Sequence, residues 1–90
     1  MKFFKLDARV TSHYPYPTTS HLLLRKVIQL FFNTETISHD INSPERLLKI
    51  ISRTFNLYNE ELLRIWISFP NNVQEELWEQ FNHYIQQKTI

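Results

Sequence analysis

Large apolar side chains are densest in residues 59–69, which read NEELLRIWISF. Six of the last eight residues of this segment are apolar: Leu62, Leu63, Ile65, Trp66, Ile67 and Phe69. On a helix these six side chains cover an arc of roughly 200°, and the charged residues and the serine between them are left for solvent. A single neighbouring helix cannot cover an arc that wide. The pattern therefore predicts a central helix that packs against at least two others.

Three further segments repeat their apolar residues with the spacing of a helix. Together with the central helix they predict a mainly α fold, a compact four-helix bundle with helices at about residues 20–32, 44–56, 60–69 and 73–87. Ser43, Pro44 and Glu45 form the clearest start signal in the chain. A capping serine there precedes a proline at the first helical position and an acid in the first turn.

Asparagine is expected to take the place of glycine at the ends of the helices, because the chain contains no glycine. A residue with positive φ must then be Asn or Asp, the next most tolerant residues. Asn33, Asn56 and Asn71 stand where predicted helices end, and each is predicted to adopt the left-handed conformation. Asn59 is predicted to cap the central helix. Asn72, with an acid three residues later, is predicted to cap the last helix.

The N-terminal segment follows a different pattern. Residues 2–10 alternate, with a series of apolar side chains on one side: Phe4, Leu6, Ala8 and Val10. A period of two predicts a half-buried strand, which pairs within the chain, with its copy in a dimer, or with a partner protein. The alternative is an arm that only lies over the bundle. Residues 14–17, YPYP, predict a stiff extended link. We therefore divide the chain into an arm and linker at 1–19 and a helical domain at 20–90.

Composition and charge narrow the class of protein. The net charge is +1, but residues 1–32 carry five basic and one acidic side chain, whereas residues 59–90 carry two basic and five acidic ones. The chain has no cysteine, which excludes disulfides and thiolate metal sites and is typical of a reducing compartment. No apolar run approaches the ~20 residues that a membrane span needs. We expect a cytoplasmic protein without a membrane partner.

Candidate chemistry is sparse in this sequence. The histidines, at positions 13, 21, 39 and 83, fall in four separate segments and match no metal-ligand spacing. Without glycine the chain cannot form the usual phosphate loop or a nucleophile elbow. Adjacent glutamates on one helix point in different directions, so they predict no acid–base pair. The sequence therefore predicts a protein that is not an enzyme, with no catalytic, cofactor-binding or metal-binding residues.

A group of basic residues is the one feature that suggests nucleic acid. Arg46, Lys49 and Arg53 fall within about 60° on one side of the second helix. These three, with Arg25 and Lys26, are the candidate phosphate-binding residues. The helix that follows carries only one basic residue and is mostly apolar, so it makes a poor recognition helix for a DNA groove. A solvated face is the favoured interpretation, and nucleic-acid binding is the alternative function.

The predicted function follows from the apolar excess. The first and central helices both carry apolar arcs of roughly 200°, more than a domain of this size is expected to bury. Part of this surface is then expected to seal a contact with another chain. The sequence predicts a small protein–protein interaction module, a regulator, adaptor, inhibitor or assembly subunit, that forms a homodimer. The predicted partner-contact residues are Phe4, Leu6, Tyr14, Tyr16, Leu22 and Phe32. In the alternative, every wide arc is internal.

Overall fold

The computed structural model of the chain describes residues 19–34, residue 37 and residues 40–88, apart from the side chain of Lys88. Four α-helices occupy this part: α1 (Thr19–Thr34), α2 (Pro44–Thr54), α3 (Asn59–Ile67) and α4 (Asn71–Lys88). The radius of gyration, 12.4 Å, is close to the ~12 Å of a compact globule of this length.

The predicted mainly α, compact four-helix fold is confirmed, and every helix end lies within two residues of its predicted position. The helical domain was predicted to begin at residue 20, and α1 begins one residue earlier, at Thr19. The predicted strand at residues 2–10 and the Tyr-Pro link at 14–17 lie outside the described residues.

All four helices contribute to a single hydrophobic core. Its aromatic centre joins three of them, because the Phe32 ring of α1 lies 5.7 Å from the Phe81 ring of α4, and Phe81 lies 6.2 Å from the Trp66 ring of α3. These separations and tilted orientations are typical of favourable ring pairs. The Tyr84 hydroxyl of α4 also donates a hydrogen bond of 2.9 Å to the Phe32 carbonyl oxygen. The core thus fixes which side of α1 faces inward.

The central helix α3 packs against both α1 and α2, as its wide apolar arc predicted. Its buried arc is narrower than expected, however. Leu62 and Trp66 are buried, whereas Ile67 is 68% exposed. Ile67 stands at one edge of the predicted arc and faces solvent. Phe69 is buried as predicted, but it enters the core from beyond the end of α3 at Ile67.

The ends of α2 follow the predicted chemistry. The Ser43 hydroxyl accepts a hydrogen bond of 3.2 Å from the Arg46 amide, and Ser43 has extended backbone angles, as an N-cap does. At the other end Asn56 has a φ of 55°, and the Leu57 amide donates to the Ser52 carbonyl oxygen at 2.8 Å. A hydrogen bond that closes a loop of six residues at a helix end is characteristic of a Schellman cap. The left-handed conformation predicted for Asn56 is confirmed.

The other asparagine predictions are wrong. Asn33 lies inside α1, and Asn71 is the first residue of α4, so neither ends a helix. Asn59 is the first helical residue of α3 rather than its cap, which is Tyr58 without a side-chain cap bond. Asn72 does not cap α4, because the Pro70 carbonyl oxygen accepts the first hydrogen bonds of that helix.

Proline explains why α4 begins early. The Pro70 ring fixes φ at a helical value, and its carbonyl oxygen accepts from the amides of Val73 at 3.0 Å and Gln74 at 2.9 Å. The Gln74 side-chain amide also donates to the Phe69 carbonyl oxygen at 2.9 Å, which satisfies a backbone group in the short connection. The turn therefore needs no asparagine cap.

Substitution of Asn56 tests the role of this residue in a chain without glycine. Asn56→Ala should lower the free energy of unfolding by about 1 kcal/mol, because alanine tolerates positive φ poorly, whereas Asn56→Gly should not lower it. Asn72→Ala is the matched control, and it should change the free energy of unfolding by less than about 0.5 kcal/mol. Urea denaturation followed by circular dichroism measures all three. Equal losses for Asn56→Ala and Asn72→Ala would contradict the assignment of the two ends.

Candidate interaction surface

Helix α1 carries apolar side chains on two opposite sides. Its inner side is buried in the core and consists of Leu24, Ile28, Phe31 and Phe32. On the outer side, Leu23 is 59% exposed and Leu30 is 53% exposed. Seven residues separate these two leucines, so they differ by about 20° around the helix and lie about 10.5 Å apart along its axis. Val27, partly buried, lies between them. We call Leu23, Val27 and Leu30 the outer stripe.

The predicted partner-contact residues have different outcomes. Leu22 is 44% exposed and borders the outer stripe, so it is available for contact. Phe32 is only 2% exposed, and its ring packs against Phe81 and Tyr84. The reason is that Phe32 follows Ile28 by four residues and therefore shares the inner side of α1. Phe32 is a core residue and is not part of an exposed surface in this fold.

The remaining predicted contact residues, Phe4, Leu6, Tyr14 and Tyr16, lie outside the described residues. Leu23 and Leu30 were not among the predicted contact residues. Their spacing of seven was a usable signal, because it places both on the side opposite Ile28. Three consecutive leucines, Leu22 to Leu24, concealed that signal, since any of them could have faced the core.

Other exposed apolar side chains in the described part of the chain form no comparable stripe. Ile67 is the single large aliphatic side chain exposed on α3. Leu57 and Tyr58 are exposed in the turn between α2 and α3. Leu63, four residues before Ile67, is partly buried, and no second exposed apolar side chain lies on that side of α3. The outer stripe is therefore the apolar surface best suited to hold another helix.

The charged side chains of α1 itself are all of one sign. Helix α1 contains Arg25 and Lys26 and no acidic residue. Lys26 is exposed beside the stripe, whereas Arg25 is half-buried and its Nε atom is buried without a hydrogen-bond partner. The two side chains differ by about 100° around the helix, and Lys26 is the one that lies beside the outer stripe.

The three basic residues predicted on α2 do form one face. Lys49 and Arg53 are exposed and Arg46 is half-buried. None of the three forms an ion pair with another described residue. On α3, by contrast, the Arg64 guanidinium forms a salt bridge with Glu61, and this hydrogen bond raises the pKa of Arg64. A basic face is present on α2, and the neighbouring helix adds no free cation to it.

A buried histidine joins the start of α1 to the end of α3. The His21 side chain is 7% exposed, and its ring stacks on the Phe69 ring with centroids 4.1 Å apart. Its Nε2 atom lies 2.7 Å from the Ser68 hydroxyl oxygen. The Ser68 hydroxyl oxygen also lies 2.6 Å from the Ile65 carbonyl oxygen, which accepts a hydrogen bond from it. Burial lowers the pKa of His21, which favours the neutral ring.

The Ser68 hydroxyl has two hydrogen-bond partners within reach, the His21 ring and the Ile65 carbonyl oxygen. The His21–Ser68 pair borders a cleft of about 380 Å³ lined by Ser20, His21, Glu61, Arg64, Ile65 and Ser68. The acid of this cleft, Glu61, is paired with Arg64. The His21–Ser68 contact holds α1 against α3.

Within the described ranges, no group of three or more His, Asp or Glu residues is placed to hold a metal ion. Likewise, none of the helices described there is both long and apolar enough to cross a bilayer.

The His21 contact predicts a pH dependence of stability. Below pH 6.5, the ordinary pKa of histidine, His21 of the unfolded chain binds a proton. The buried ring of the folded protein binds this proton only at a lower pH. The stability that this contact contributes is therefore complete above pH 6.5, and it is lost as the pH falls through the lower pKa of the folded state. The melting temperature should fall between pH 7.5 and pH 5.5, and His21→Gln should make this fall smaller. His83→Gln, an exposed site on α4, is the control. Equal pH dependence in wild type and His21→Gln would contradict this account.

No known protein family, characterised protein or solved structure gives a significant match to the chain. What the protein does must therefore be inferred from the position, exposure and charge of its own side chains.

Proposed function

We propose that this protein is a small non-enzymatic interaction module, a regulator, adaptor, inhibitor or assembly subunit, that binds another protein through the outer side of α1. The observation that carries the proposal is the exposure of Leu23 and Leu30 on the side of α1 that faces away from the core. Single exposed leucines are ordinary on protein surfaces, but a stripe at helical spacing is the form in which one helix binds another.

The size of the stripe indicates what kind of contact it supports. Full burial of a leucine contributes about 1.5–3 kcal/mol, so covering the half-exposed Leu22, Leu23 and Leu30 would contribute roughly 3 kcal/mol in total. Association costs about 4 kcal/mol or more in lost freedom of motion. The three leucines therefore need further contacts around them, and the proposed complex is a transient one.

We also propose the homodimer that the sequence predicts. Its contact residues are Phe4, Leu6, Tyr14 and Tyr16, which leaves the outer stripe for a second protein. The lack of cysteine supports placing this function in the cytoplasm, because the reducing conditions there disfavour disulfides and this chain forms none. Sedimentation at increasing concentration tests the dimer, and a strict monomer at tens of micromolar would contradict it.

Nucleic-acid binding is the second candidate function, and one observation favours it. Arg46, Lys49 and Arg53 share one face of α2, and none of them is neutralised by a described acidic residue. Such a face would hold phosphates through charge, with an affinity that falls steeply with salt. Retention on a polyanion column that is lost at moderate salt, and lost when the three charges are reversed, would favour this candidate over the first.

The principal proposal predicts a selective loss of partner binding. In affinity capture from the native lysate, the wild-type chain should retain a protein that Leu23→Gln/Leu30→Gln does not retain. Ile67→Gln is the matched control, because it removes an equally exposed aliphatic side chain from a different helix. The double variant should keep its free energy of unfolding within about 0.5 kcal/mol of wild type, since neither leucine lies in the core. If wild type and double variant capture the same proteins, the proposal is wrong.

A further inference from the structure

We infer that the outer stripe of α1 binds a helical segment of another protein whose own apolar stripe is bordered by acidic side chains. This inference rests on the proposed function and names the chemistry of the partner.

The spacing of the stripe suits a helix. Leu23, Val27 and Leu30 follow one another at intervals of four and three residues, which is the pattern that forms the seam between two packed helices. Helix α1 has 16 residues and is therefore about 24 Å long. A partner helix of four to five turns would match the whole length of α1, and its central two turns would cover the stripe.

The charge beside the stripe selects the partner. Lys26 is exposed at the border of the stripe, close to the midpoint of α1, and α1 contains no acid that could neutralise it. In helix pairs, residues that border the apolar seam decide which partners are accepted, through attraction of opposite charges and repulsion of like ones. A glutamate or aspartate beside the partner's apolar residues would complement Lys26.

The described helices of a second copy of this chain do not supply that combination. An antiparallel pair of α1 helices brings two Lys26 side chains to the same side of the seam, because Lys26 lies near the helix midpoint. In either orientation a second α1 offers no acid to Lys26, since α1 contains none. Helix α4 exposes Glu75 and Glu79 but buries its regularly spaced apolar side chains, which are Val73, Leu77, Phe81 and Ile85. Helix α3 exposes one large aliphatic side chain, Ile67, and so has no stripe. The occupant that fits is a different protein.

Synthetic peptides test the inference on the full chain. One peptide of about 18 residues, long enough to form a helix, carries leucines at the spacing of the outer stripe and glutamates beside them. Its matched control replaces each of those glutamates with lysine. Chemical-shift changes on titration with each peptide measure affinity and identify the contacted residues. The wild-type chain should bind the glutamate peptide about threefold more tightly than the lysine peptide, with the largest shifts at Leu23, Lys26 and Leu30.

Charge reversal completes the test. Lys26→Glu should invert the preference, so that the ratio of the two peptide affinities differs by about tenfold between wild type and this variant. Leu23→Gln/Leu30→Gln should lose binding to both peptides. If the stripe binds both peptides equally, the acidic partner is wrong and the proposed function stands. If the chain instead pairs with itself through the stripe, the acidic partner is likewise wrong. If neither peptide binds, or if the shifts fall on α2, the outer stripe is not the docking site and the proposed function loses its support.

Discussion

The contact between Phe32, Phe81 and Trp66 decides how α1 sits on the rest of the fold. These three rings come from three different helices, and the Tyr84 hydrogen bond to the Phe32 carbonyl oxygen ties the last turn of α1 to α4. At the other end of α1, His21 is held by Ser68 and Phe69. With both ends held, α1 cannot rotate about its axis. A rotation that buried Leu23 and Leu30 would bring the inner phenylalanines into water, at a cost of about 1.5–3 kcal/mol for each.

The sequence predicts the helices because their signals are local. A capping serine, a proline and an acid mark the start of α2, and these residues act within one turn of the chain. The left-handed Asn56 is likewise local, since a chain without glycine has few residues that tolerate its φ of 55°. Local signals give the wrong helix start where two candidate start signals lie close together in the sequence. Asn72 had the pattern of a cap, but Pro70 lies before it and begins the helix first.

The candidate surface is less predictable because it depends on tertiary packing. Helix α1 is apolar nearly all round, so the sequence shows an excess of leucine without showing which side faces the core. That choice is made by Phe32, which was expected at the surface and is buried against α4. The His21–Ser68 contact joins residues 47 positions apart, so no local sequence pattern predicts it. The basic face of α2, in contrast, follows directly from helical spacing, although spacing alone does not show what that face binds.

The central claim is that Leu23 and Leu30 remain in water while the rest of α1 packs inward. Paramagnetic relaxation of the leucine and isoleucine methyl groups by a soluble spin label tests this claim most directly, since the effect depends on access of solvent to each methyl group. The account predicts strong relaxation at Leu23 and Leu30, similar to that at Ile67, and weak relaxation at Leu24 and Ile28. Protection of Leu23 and Leu30 to the level of Leu24 in the free protein would contradict it.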